Sequence, residues 1–182
     1  MEPVAERYRR LSTLMTERIA TVPDDAWSNR TPCEEWDVRD LVAHLIDVHG
    51  QFQALVGRSM VEHPDVGSDP LAAFVAVRDQ TQSDLDDPVR CAEEYDGLLG
   101  RSTFGASVDG FVCFDLVVHG WDLAHATGQD DTIALGDLEQ LQTMVDQMGH
   151  LMLENGVISR QLDVGPDASP QQRLLGALGR QA

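Results

Sequence analysis

Asp115 and His119 sit inside a segment that otherwise reads as protein core: Phe111-Val112-Cys113-Phe114-Asp115-Leu116-Val117-Val118-His119-Gly120-Trp121. A helix that is apolar almost all round belongs at the centre of a packed molecule. Four residues apart on such a helix, the carboxylate and the imidazole lie one above the other on a single face. Burying both without partners would cost several kcal/mol, by the usual scale of roughly 2–7 kcal/mol per polar group. The chain must therefore fold so that something satisfies this pair. Leu41-Val42-Ala43-His44-Leu45 offers a third polar group in an apolar setting.

The helices around the pair are legible from spacing. Val4, Tyr8, Leu11, Met15, Ile19 and Val22 recur at helical intervals over residues 3–22, before Pro23-Asp24-Asp25. A second helix starts after Asp37, an N-cap residue, with Asp40 near the positive end of its dipole. Its inward stripe is Leu41, His44, Leu45, Val48 and Phe52, which places His44 on the buried side and His49 well off the stripe. Gly57, Pro64 and Gly67 mark residues 57–69 as a loop. A third helix over 70–85 is expected from Asp69 as cap and Pro70 at its first position, with a stripe of Leu71, Phe74, Val75 and Leu85. Residues 87–109 read as an extended crossover with room for short strands. A fourth helix is expected over 109–127, with Gly128 as its C-cap. A fifth is expected over 138–154, closed by Asn155-Gly156, and a short one opens at Ser169-Pro170. Long helices, one long crossover and almost no strand pattern point to an all-α bundle.

The chain has 182 residues, a length that fits one domain over 1–182. Its formal charge of −18 gives no basic stripe for nucleic acid and no attraction to an anionic membrane. Neither a signal-type apolar stretch nor a membrane-spanning run is visible. Three cysteines, Cys33, Cys91 and Cys113, lack CxxC spacing and are odd in number, which fits a reducing cytoplasm.

Bundle interiors build metal sites from side chains on facing helices. His44, Asp115 and His119 form a two-imidazole, one-carboxylate set that suits Zn²⁺ with an open fourth position, and equally Fe²⁺ or Ni²⁺. The competing reading makes the two histidines hydrogen-bonded core residues, with Asp115 pairing one of them. Asp122, three residues beyond His119, either orients a ligand from behind or is a partly solvated acid near the helix end; the second is the simpler expectation. His125 points to the surface. Arg78 interrupts the stripe of the third helix and needs a carboxylate or solvent. It can pair with Asp115 or Asp122, or hold an anionic substrate group as a catalytic-site residue. Cys33 and Cys113 are soft-ligand candidates that read more simply as small buried hydrophobes. Trp36 and Trp121 are expected to pack around the site.

Thr31-Pro32-Cys33-Glu34-Glu35-Trp36-Asp37-Val38-Arg39-Asp40-Leu41-Val42-Ala43-His44-Leu45 resembles the N-terminal signature of the actinobacterial DinB-like metal-binding proteins, relatives of mycothiol-dependent maleylpyruvate isomerase. Residues Val117 to Gly128 resemble that family's second signature, and Pro166 to Arg180 its tail. The resemblance implies a DinB-like four-helix bundle with a long crossover and a short C-terminal helix. It implies a divalent metal, usually zinc, held by one His of the second helix and a carboxylate-x-x-x-His of a later one, here His44, Asp115 and His119. It also implies mycothiol or a similar small thiol as cosubstrate, and an electrophilic small molecule as its partner. The isomerase-like members carry Glu where this chain has Asp115, and the isomerase has a further C-terminal domain that this sequence does not extend to. The expectation is therefore a thiol-dependent transferase or isomerase rather than maleylpyruvate isomerase itself. A noncatalytic metal-binding bundle and a metal-dependent hydrolase are the alternatives. A homodimer is compatible with the sequence, which carries no direct sign of one.

Overall fold

The structure is a computed structural model and describes residues 2–33, 36–97, 100–154, 158 and 160–181. It is mostly helical, with one small antiparallel hairpin. Two compact units divide it, Met1–Asp130 and Asp131–Ala182.

In the first unit, α1 (Val4–Ala20) packs against α3 (Pro70–Asp86) and α6 (Cys113–Thr127), and α2 (Val38–Leu55) packs against the same two. Each helix begins where its local chemistry allows. The Asp37 carboxylate accepts from the Asp40 N–H, and the Asp40 side chain accepts from the Asp37 N–H, closing a reciprocal cap on α2. Asp69 caps α3 by accepting from the Ala72 N–H, ahead of Pro70. Gly128 ends α6 at φ 71°, a left-handed conformation that glycine adopts without strain. The core between these helices holds Tyr8, Met15 and Ile19 of α1, Leu41, Leu45 and Ile46 of α2, Phe74 of α3, and Trp121 and Leu123 of α6, all essentially inaccessible.

The crossover carries α4 (Pro88–Cys91) and the hairpin of β1 (Glu94–Gly97) with β2 (Gly100–Thr103), Tyr95 opposite Ser102. The short strands expected there are present. Arg58 and Arg90 both pair with the buried Asp84 of α3, and the Arg58 guanidinium lies 4.8 Å from the Phe104 ring centre. Tyr95 Oη lies 2.7 Å from Ser107 Oγ, tying the hairpin to the segment that follows.

That segment departs from the expected single helix over 109–127. Helical backbone begins earlier, at α5 (Phe104–Ser107), capped by the Thr103 hydroxyl. A π-helical turn over Val108–Val112 then leads into α6, with the Cys113 N–H reaching back five residues to the Val108 carbonyl. Glycines at 105 and 110 conceal this continuity in the sequence, because glycine disfavours helix interiors. At Gly105 a Cβ would stand 2.5 Å from Cys91 Sγ and 3.1 Å from the Cys91 carbonyl, so close approach requires glycine there. Arg7 of α1 anchors the wide turn by donating to Asp109 Oδ1 at 2.8 Å and to its carbonyl at 3.0 Å.

In the second unit, α7 (Leu135–Glu154) starts three residues before the expected Leu138 and packs on α8 (Pro170–Ala177). Ser169 and Gln172 form a reciprocal cap at the start of α8. The Asn155-Gly156 pair expected to close α7 lies outside the described residues. Among the described residues, no helix is long and apolar enough to cross a membrane.

Candidate metal centre

Where α2 meets α6, His44, Asp115 and His119 converge. Each offers one ligand atom within 4.8 Å of the others. His44 Nε2 lies 3.5 Å from Asp115 Oδ2, and His119 Nε2 lies 3.9 Å from Asp115 Oδ1. Two ligands on one tetrahedral zinc ion, each about 2.0–2.1 Å from it, stand about 3.3 Å apart. Each histidine thus stands within a few tenths of an ångström of that spacing from its nearer Asp115 oxygen, and the three ligand atoms all lie within 4.8 Å of one another.

The second ring nitrogen of His119 fixes the first. Its Nδ1 lies 2.9 Å from Asp122 Oδ2, and Asp122 is wholly buried. A carboxylate can only accept, so Nδ1 carries a proton, and Nε2, which faces Asp115, holds either a second proton or a metal ion. A lone pair facing carboxylate oxygens is repulsive unless a cation lies between them. That is the arrangement a metal-ligating histidine with a carboxylate behind it requires. Electrostatics give the same reading from the proton's side. Burial alone would lower the His119 pKa, yet the hydrogen bonds to Asp122 and Cys33 and the nearby Asp115 charge hold it up at about 10. The acids around this ring call for a positive charge, and a proton or a metal ion can supply it.

The set is reachable from solvent. The His44 side chain is 28% exposed and that of Asp115 23%, whereas His119 is 9%. Trp36 forms one wall, its ring centre 4.5 Å from that of His44 and 5.7 Å from that of His119. Cys33 completes the neighbourhood, with Sγ 3.5 Å from Asp122 Oδ2 and 3.9 Å from His119 Nδ1.

A scan against protein-family models matches residues 8–124 to the mycothiol maleylpyruvate isomerase N-terminal domain, a span that includes every residue of this cluster. The chain belongs to that family. Two curated proteins of Mycobacterium tuberculosis are similar to this member: uncharacterized protein MT0763 of strain CDC 1551 / Oshkosh and uncharacterized protein Rv0738 of strain H37Rv. Each is 30% identical over 132 residues, covering 71% of this chain and 69% of its own. No solved structure matches the chain.

Several sequence readings change on contact with this geometry. His44 lies at the edge of the α2–α6 contact and is half-buried, while His49, placed off the inward stripe by spacing, is 2% exposed. Helix α2 is covered by α3 and α6 on two flanks, so its buried arc is wider than one stripe. His49 Nδ1 donates to the Leu45 carbonyl at 2.6 Å, which leaves Nε2 to accept the Tyr8 hydroxyl at 2.8 Å. Burial lowers the His49 pKa to about 4 and raises that of Tyr8 well above its usual value. Asp122 is the buried partner of His119 rather than a solvated acid. Arg78 pairs with neither Asp115 nor Asp122. Its guanidinium donates to Asp79 Oδ1 and to Thr16 Oγ1. His125 is exposed, as spacing implied, with its ring stacked on Trp121. Cys113 is buried and Cys33 is half-buried.

Proposed function

We propose that this chain is a divalent-metal-binding protein of the DinB type, its four-helix bundle made by α1, α2, α3 and α6, that uses a mycothiol-type thiol against a small electrophile. The ion, zinc or alternatively nickel or iron, would be held by His44, Asp115 and His119. When bound, it supplies a positive charge that favours the thiolate form of a small thiol at neutral pH, and thiolate is the competent nucleophile. The protein's own residues do the rest. Asp122 keeps His119 in the ligating tautomer, Trp36 walls the thiol's approach, and the exposed edges of His44 and Asp115 leave an entry. The reaction class would be thiol transfer or isomerisation in the cytoplasm. This reading assigns no role to Arg78, whose guanidinium is engaged by Asp79 and Thr16.

One observation carries this reading: two imidazole Nε2 atoms lie within 4 Å of the Asp115 carboxylate, with the buried Asp122 behind one of the rings. The solvent-reachable donors favour an open centre over a purely structural staple. With Cys33, the sulfur beside His119, replaced by serine, elemental analysis of protein purified without added metal should find an ion that the Cys33→Ser/His44→Ala double variant lacks. Equal metal content in both would remove the ligand assignment. Incubation with mycothiol and a panel of electrophiles should yield adducts only with the metal-loaded wild type. Metal binding without thiol-dependent turnover would leave the noncatalytic bundle.

A further inference from the structure

His119 is shared by two clusters. On its Nδ1 side, Cys33 Sγ, His119 Nδ1 and Asp122 Oδ2 also lie within 4.8 Å of one another. We infer that Cys33, His119 and Asp122 form a second, thiolate-containing site for a thiophilic or borderline divalent cation such as Zn²⁺, Cd²⁺ or Co²⁺, competing with the His44–Asp115–His119 centre for the His119 ring. The inference shares His119 with the proposed function but does not require that centre to be occupied.

The distances suit it. A tetrahedral zinc ion with bonds of about 2.3 Å to sulfur and about 2.0–2.1 Å to nitrogen and oxygen sets its ligand atoms about 3.6 Å apart for S with either N or O, and about 3.3 Å apart for N and O. The observed separations are 3.9, 3.5 and 2.9 Å. None needs to change by more than roughly 0.4 Å on that geometry.

Charge and position also suit it. A dication here replaces the Cys33 thiol proton, which leaves to solvent, and the His119 Nδ1 proton, which leaves with it when Nε2 is already protonated and otherwise moves to Nε2. Thiolate and carboxylate then balance the ion, so a wholly buried Asp122 is neutralised where it stands. Cys33 lies in the segment before α2, half-buried, which leaves the ion a way in. Sulfur sets the preference, since thiolate favours softer cations than the imidazole and carboxylate donors of the other cluster do.

Competition follows from the ring itself. A neutral imidazole has one lone pair and one N–H. With Nδ1 on a metal, Nε2 carries the proton and turns an N–H toward Asp115, so the first cluster loses a donor. With Nε2 on a metal, Nδ1–H returns to Asp122. Occupying either site therefore vacates the other.

Cobalt separates the two, because only the second cluster contains sulfur. Titrating Co²⁺ into metal-free full-length protein should produce a near-ultraviolet thiolate-to-cobalt charge-transfer band. The band should persist in His44→Ala and in Cys91→Ser and disappear in Cys33→Ser. Cadmium-113 NMR of the unmodified protein should show a resonance shifted downfield into the sulfur-ligated range, which requires no variant to fold. Cobalt binding without the band, or a band that survives Cys33→Ser, would overturn the second site. Two ions bound at once per chain would overturn the competition. Metal content of Cys33→Ser reports separately on the first centre. If that variant binds no ion while the wild type shows the band, the proposed function fails and this inference stands.

Discussion

Acidification should destabilise this protein through His49. The ring is 2% exposed, donates from Nδ1 to the Leu45 carbonyl and accepts the Tyr8 hydroxyl at Nε2, so it is held neutral. Its pKa is about 4 in the fold against 6.5 for a free side chain. A histidine whose pKa falls on folding binds more protons unfolded than folded. Its contribution is complete above 6.5 and is lost as pH drops toward 4. Linkage with these two values gives a loss of about 2 kcal/mol between pH 7 and pH 5, rising to about 3 kcal/mol below pH 4. The assay is urea unfolding at pH 7 and pH 5 with chelator present, for the wild type and for His49→Gln. Subtracting the two pH differences cancels the carboxylates and His119, which titrate in both proteins. The wild type should lose about 2 kcal/mol more than the variant over that interval. Equal losses in the two proteins would show that His49 is not a neutral buried ring, and the hydrogen-bond assignment to Tyr8 would fall with it.

Tyr8→Phe strands the buried Nε2 of His49 without a donor and should cost about 1–3 kcal/mol by denaturant unfolding. An unchanged midpoint would show that another donor reaches that nitrogen. Asp122→Asn removes the carboxylate that fixes the His119 tautomer and should weaken metal binding by about 10–100-fold in competition with a chelating dye. Unaltered affinity would take Asp122 out of the centre. Gly105→Ala drives a methyl group against the Cys91 backbone carbonyl and should cost about 1–3 kcal/mol of stability. A neutral result there would mean that α4 can move away from α5.

Local chemistry made much of this fold readable. Asp37 with Asp40, Asp69 with Pro70, Ser169 with Pro170 and the terminal Gly128 act within one helical turn, so their signals survive in a linear reading. The grouping of His44, Asp115 and His119 was legible because an isolated polar residue in an apolar stretch must be answered by something from another element. What escaped depends on packing between elements. His49 looks outward when one stripe is counted, and only the double coverage of α2 buries it. Asp122 lies one turn from the end of α6 and reads as solvated until the fold encloses it. Arg78 found its carboxylate next door in Asp79, a neighbour that helical counting discounts because adjacent residues diverge around the axis. Cys33 precedes a helix by several residues, and nothing in spacing brings it to His119.

The wide turn at Val108–Val112 bears on how relatives of this chain should be aligned. Its backbone reaches back five residues where an α-turn reaches four, so the stretch from Phe104 to Thr127 contains two helices out of phase by one residue. Losing one residue inside the turn, most easily Gly110 with open space where a side chain would be, could be absorbed by tightening to an α-turn. The same loss at Leu116, Val117 or Val118 would rotate Asp115 and His119 by about 100° relative to each other. An ungapped comparison with a relative lacking the extra residue would then misassign every position on one side of it. For a relative shorter by one residue in this stretch, the gap is best tried at Val108–Val112, where this chain's backbone carries the extra residue.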